Sequence, residues 1–100
     1  MAVLLRATGE RVPLTLERGA RLLPQLQALV GGYIEVITLG GTAARRDVLV
    51  LNEDGKRDNL PGNLVATWLA RHVIGADDWI VGDVVRATIE HCGSDRESWQ

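Results

Sequence analysis

The chain has 100 residues, enough for one domain with a single apolar core that needs no metal or disulfide staple. Apolar residues make up 46% of it, yet only four are aromatic and none is Phe, so Val, Leu, Ile and Ala must build the core, with Trp68 and Tyr33 expected to carry much of the buried area. A net charge of −2 argues against a protein that grips nucleic acid through a broad basic surface, and one cysteine, Cys92, cannot close an internal disulfide and points to the cytoplasm.

The first elements read as a hairpin. Val3, Leu5 and Ala7 alternate with Leu4, Arg6 and Thr8, and after Gly9-Glu10 a second run sets Val12, Leu14 and Leu16 on one face. Pro13 lacks a backbone donor and pushes its strand to a sheet edge. From Leu22 the period changes to that of a helix, with Leu22, Leu23, Leu26, Leu29 and Val30 on one stripe. Pro24 fits only the first turn, so the helix should begin near Leu23, and Gly31-Gly32 should close it.

Tyr33 to Leu39 and Asp47 to Leu51 form two further expected strands joined through Gly40-Gly41. Both carry apolar residues on both faces, which predicts central strands whose second face is covered by the N-terminal hairpin, by curling of the sheet, or by a partner. Asn52-Glu53-Asp54-Gly55 has the chemistry of a tight turn, with Gly55 expected at positive φ and an extended stretch through Lys56 and Arg57 after it. Leu60-Pro61-Gly62 breaks the chain. Asn63 then caps a helix that should bury Leu64, Val65, Trp68, Leu69 and Val73 and stop at Gly75. A last strand should open at Ile80, with a bulge or bend at Gly82.

The order ββαββαβ predicts an α+β domain over residues 1–92, a largely antiparallel sheet with two helices, followed by a frayed tail over 93–100. The N-terminal Met1-Ala2-Val3-Leu4-Leu5-Arg6 is too short an apolar run for a signal peptide, and no stretch has the length of a membrane span. Charge is uneven: residues 1–50 hold six Arg against four acids, and residues 51–100 hold five basic residues against nine acids. Such a dipole could orient a partner, but with no cluster of charge the solvation of a surface is the better explanation.

Four separated motifs follow one another along the chain: Leu29-Val30-Gly31-Gly32-Tyr33-Ile34-Glu35-Val36, Asn52-Glu53-Asp54-Gly55-Lys56, Leu60-Pro61-Gly62-Asn63 with Ala66-Thr67, and Ile80-Val81-Gly82-Asp83-Val84-Val85. Together, over roughly residues 20–86, they resemble the uncharacterised domain-of-unknown-function family 3846 of bacteria, phages and plasmids. The resemblance implies a fold and a genomic setting, and it brings no catalytic residue with it. Gly62, where the family commonly has a larger residue, and the Leu22 to Pro24 stretch depart from the pattern at helix starts.

The chemical inventory is thin. His72 and His91-Cys92 are too few for zinc, and neighbours in a strand face opposite ways, so His91 could not activate Cys92 there. Gly40-Gly41-Thr42 lacks the following helix and Lys-Ser/Thr pair of a phosphate loop. Glu53, Asp54, Asp77, Asp78 and Asp83 could in principle gather around a divalent cation, yet turns, caps and strand starts already account for most of them. Glu35 stands out as a carboxylate between Tyr33 and Ile37 on one face of an apolar strand, where it needs water or a donor.

These residues lead to a cytoplasmic, non-enzymatic protein-interaction module with no cofactor, no metal and no membrane, whose candidate binding residues are Tyr33, Glu35, Ile37 and Arg46. The partner would be a host or element protein, or a second copy through self-association. The alternative is a nucleic-acid accessory protein using Arg6, Arg11, Arg18, Arg21, Arg45 and Arg46. A third possibility is an enzyme whose pocket unites Tyr33, Glu35, Asn63 and His72.

Overall fold

The computed structural model describes residues 2–90. The alternating N-terminal runs form the antiparallel strands β1 (Ala2–Leu5) and β2 (Arg11–Leu14). A 3-10 turn, Gly19–Arg21, leads into helix α1 (Leu22–Val30), with Pro24 in the first turn, where its missing N–H leaves no bond unmade. Gly31 takes φ 83°, and the N–H groups of Gly31 and Gly32 both donate to the Gln27 carbonyl, which closes the helix. Strands β3 (Ile34–Gly41) and β4 (Arg45–Asn52), helix α2 (Leu64–Ala70) and strand β5 (Val84–Glu90) complete the ββαββαβ order.

All five strands join one antiparallel sheet in the order β2-β1-β5-β4-β3. Helix α1 lays Leu22, Leu26 and Val30 on one face, against Ala2, Leu4, Val48, Val50, Val85, Ala87 and Ile89. Helix α2 lays Ala66 and Ala70 on the other, over Leu5, Leu49, Leu51, Val84 and Ile80. This double cover is why β4 is apolar on both faces from Val48 to Leu51: a central strand between two helix layers has no wet side.

Several expectations change. The strand through Tyr33 to Leu39 is the sheet's edge and not a central strand; only β4 of that pair is internal. Its second face is covered by α2 and the segments flanking it, while the N-terminal hairpin lies in the plane of the sheet. Leu39 is bulged out between the paired residues Thr38 and Gly40, so β3 runs on through Gly41 where a loop was expected.

Helix α2 sits close to the sheet through alanines, so Trp68 cannot fit beneath it: its side chain is 62% exposed, stacked under Arg71 at 3.5 Å. Leu64 and Val73 are exposed as well, and Val65 and Leu69 are half buried. The helix ends at Ala70, five residues before Gly75. Residues 53–59 form successive turns with no extended stretch, and Ile80 to Asp83 precede β5 without joining it, apart from a bridge between Val81 and Gly62.

Gly55 is not at positive φ; the left-handed residue of this segment is Asn59, at φ 56°. Space is what Gly55 supplies, because a Cβ there would stand 2.8 Å from Val81 Cγ2 and 3.3 Å from the Asn52 carbonyl oxygen. Gly82 does bend the chain, with φ 79° and its N–H donating to the Pro61 carbonyl at 2.7 Å. The expected tail over 93–100 and the His91-Cys92 pair lie outside the described residues.

Candidate functional site

The four motifs meet at one end of the sheet, and two buried asparagines join them. Asn52 is buried at the end of β4, donates from Nδ2 to the Val30 carbonyl at 3.3 Å and accepts the Asp54 N–H at 2.8 Å. A Cβ on Gly32 would stand 2.8 Å from that amide, so the second glycine of the first motif makes room for the asparagine of the second.

Asn63 is 1% exposed and has every polar group in use. Its Oδ1 caps α2 by accepting the Ala66 N–H at 3.0 Å, and its Nδ2 donates to the carbonyls of Leu5 and Gly82, both at 2.9 Å. Its backbone N–H donates to the Ile80 carbonyl, and its own carbonyl accepts from Thr67. Asn63 thus ties β1, α2 and the approach to β5 together. Asp83 adds a tie by accepting the Ala7 N–H at 2.9 Å.

Beside this junction, on the α2 face, a cleft of about 130 Å³ opens against β3. Glu35, Ile37, Leu51, Ile74, Ile80 and Val81 line its walls, and Glu53, Lys56, Asp78 and Trp79 its mouth. That volume is below the roughly 300–1,000 Å³ of small-molecule and cofactor sites, and is of a size for one side chain. Lys56 pairs with Asp78 and lies 4.4 Å from the centroid of the Trp79 ring. The Lys56 ammonium hydrogen bond, helped by the Trp79 N–H at 2.8 Å, holds the Asp78 carboxyl below its ordinary range.

The outer edge of β3 bounds the cleft. Glu53 donates its N–H to the Tyr33 carbonyl at 3.0 Å, and this pair continues the register in which Glu35 faces Leu51 and Ile37 faces Leu49. Hydrogen-bonded and non-bonded pairs alternate in an antiparallel ladder, so Ile34, Val36 and Thr38 turn their N–H and C=O groups outward. Among the described residues no strand pairs with them.

At the other edge, the Arg6 N–H bonds the Glu10 carbonyl, which by the same alternation turns Pro13 outward on β2 and removes a donor from that edge. The two edges therefore differ in their capacity to take another strand.

Of the four candidate binding residues, Glu35 and Ile37 line the cleft, with Ile37 packed into the α2-side core. Tyr33, expected to carry buried area, is instead 69% exposed just before β3 and does not line the cleft. Arg46 is set apart: it pairs with Gly41, five residues from the Leu51 that faces Glu35, or about 17 Å along β4, and odd spacing puts it on the opposite face. Asp78 drew attention in the sequence only as one of five scattered carboxylates, and Lys56 and Trp79 carried no signal there.

Arg45 stands apart from Arg6 and Arg11. Arg6 pairs with Glu10 at 3.6 Å and Asp83 at 3.9 Å, and Arg11 lies opposite Leu5 at the Val84 end of the sheet. Arg45 lies opposite Glu90, about 20 Å away along β5. Of the four residues considered as an enzyme pocket only Glu35 lines this cleft; the Asn63 amide is committed to Leu5, Gly82 and Ala66, and His72 donates from Nε2 to the Leu39 carbonyl at 2.8 Å. Among the described residues no three His, Cys, Asp or Glu side chains are grouped to hold a metal ion, and no helix is long and apolar enough to cross a membrane.

A model of the family described as a domain of unknown function, DUF3846, matches residues 1–98. The chain belongs to that family. The match reaches both ends beyond the stretch over which the motifs run, taking in the N-terminal hairpin that Asn63 anchors. No curated protein and no solved structure matches the chain.

Proposed function

We propose that the protein is a small interaction module that takes an extended, positively charged segment of a partner protein as a further strand on the outer edge of β3. The observation that carries this is the contrast between the two edges: Pro13 guards β2, whereas Ile34, Val36 and Thr38 offer outward backbone groups with no proline in β3. Main-chain bonds would supply affinity in such strand addition, and side chains falling on alternate faces would supply specificity.

The charge of the partner follows from the cleft. A strand laid on β3 sets its alternate side chains beside Glu35 and Ile37, where Glu53 and Asp78 add two more carboxylates against the single cation Lys56. A second copy of the chain suits this edge less well. A two-fold axis through two β3 edges would put both acidic clefts on the same face of the joined sheet.

The lone cysteine supports a cytoplasmic setting. The genomic setting implied by the family resemblance, a phage, plasmid or integrated element, would make the partner a host or element protein.

The test uses Thr38→Pro, which removes one outward donor at an exposed position and leaves the β3–β4 ladder intact. Peptides enriched from a random display library on the parent protein should be basic, should shift the amide resonances of Ile34, Val36 and Thr38, and should not bind the folded variant. Failure to enrich any peptide, equal binding by the variant, or a parent dimer that the variant converts to monomer would overturn the proposal; the last result would make a second copy the occupant.

A further inference from the structure

We infer that the cleft beside β3 is a seat for one lysine or arginine side chain of the partner, and that Lys56, at its mouth, holds the Trp79 ring and the Asp78 carboxylate as an internal stand-in until the partner's cation displaces it. The inference rests on the strand-docking reading and specifies the residue that such a segment must carry.

The arrangement has the parts that recognise an alkylammonium group. Trp79 presents a ring face, and a cation within about 6 Å of a ring centroid is drawn to its negative quadrupole. Lys56 Nζ is there already, at 4.4 Å, and is paired with Asp78. Apolar walls from Ile37, Ile74 and Ile80 suit the methylene stem of such a side chain. About 130 Å³ stands open with Lys56 at the mouth, room for the stem of one further long side chain.

The charge balance shows that the seat is not filled to capacity by the protein itself. Glu35 and Glu53 line the same cleft, and within the described residues neither forms an ion pair. A single ammonium group thus faces three carboxylates. The pair it makes is exposed, with the Lys56 and Asp78 side chains 48% and 45% accessible, so solvent screens it and it is readily exchanged. A partner's cation would take over the Trp79 ring and Asp78, while Lys56 swings to solvent from a turn that the exchange leaves unchanged.

The probe is n-butylammonium chloride, which carries the side-chain chemistry without any backbone to dock on β3, titrated at constant ionic strength and followed by the Trp79 indole N–H resonance. Trp79→Phe identifies that resonance among the three tryptophans. In the folded Lys56→Met variant no internal cation competes for Trp79 and Asp78. If Lys56 holds them about nine-tenths of the time in the parent, the variant should bind the probe about tenfold more tightly. Glu35→Gln introduced into Lys56→Met should weaken that binding, and n-butanol should produce no matching shift.

Equal affinity in the parent and Lys56→Met, no shift at Trp79, or an equal response to n-butanol would overturn the inference. Thr38→Pro separates it from strand docking, because that change should abolish peptide binding and leave the n-butylammonium titration as it was.

Discussion

Replacing Asn63 should damage the fold more than replacing any residue on the protein's surface, and the structure allows the size of the effect to be worked out. In Asn63→Ala the cap on α2 is lost, at a cost of about 1 kcal/mol. The carbonyls of Leu5 and Gly82 lose a buried donor, and each such loss costs about 1–2 kcal/mol. The expected total is about 3–5 kcal/mol, against the roughly 5–15 kcal/mol by which a domain of this size is stable. Urea unfolding followed by circular dichroism should show the midpoint falling with the slope unchanged.

Asn63→Asp sharpens the test. It keeps the capping oxygen but turns a carboxylate toward two carbonyl oxygens, so at neutral pH it should be no more stable than Asn63→Ala. Burial among acceptors raises the folded-state pKa of such an Asp above its unfolded value of about 3.9. Stability is then lost as pH rises between those two values, and part of the deficit should be recovered on acidification below about pH 4 relative to the parent. An Asn63→Ala protein within 1 kcal/mol of the parent, or an Asn63→Asp protein as stable as the parent at pH 7, would refute the assignment of Asn63 as the junction of β1, α2 and the approach to β5.

Trp68→Ala should cost at most about 1 kcal/mol, the value of an exposed cation–π contact, and not the roughly 3–5 kcal/mol of a buried Trp; chemical denaturation decides between them. Gly82→Ala should lower stability by about 1–3 kcal/mol in the same assay, because a Cβ at φ 79° would also stand 2.8 Å from Leu60 Cδ1. The Asp78 carboxyl should titrate below its ordinary 3.8 by carbon-13 NMR and move back toward it in Lys56→Met. Because the folded value is the depressed one, any stability linked to Asp78 is present above the ordinary value and lost as pH falls through the folded one. An unchanged titration in Lys56→Met would contradict the Lys56–Asp78 pair.

Local chemistry determined much of the architecture. Period-2 runs, the Pro24 start and Gly31 stop of α1, and the Asn63 cap depend on neighbours a few residues away, so the sequence alone placed the hairpin, both helix starts and the ββαββαβ order. The edge role of the Pro13 strand was legible for the same reason, since a missing donor has one set of tolerated places in a sheet. That Glu35 and Ile37 share one face of their strand was legible, because spacing by two residues along a strand fixes it.

What touches what across the sheet was decided only in three dimensions. Apolar residues on both faces of Ile34–Gly41 suggested an internal strand, yet β5 inserts between β1 and β4 and leaves β3 at the edge; composition does not encode which neighbour a strand chooses. Periodicity could not tell that α2 would approach through Ala66 and Ala70, because the smallest residues carry the least hydrophobic signal while permitting the closest packing, and that choice turned Trp68 out to solvent. Gly55 looked like a turn glycine and proved to be one that clears space for Val81, a residue 26 positions further on. The cleft is the extreme case. Glu35, Lys56, Asp78 and Trp79 come from three separate stretches of the chain, and only the closure of the sheet and its crossing segments sets a lysine over a tryptophan between three carboxylates.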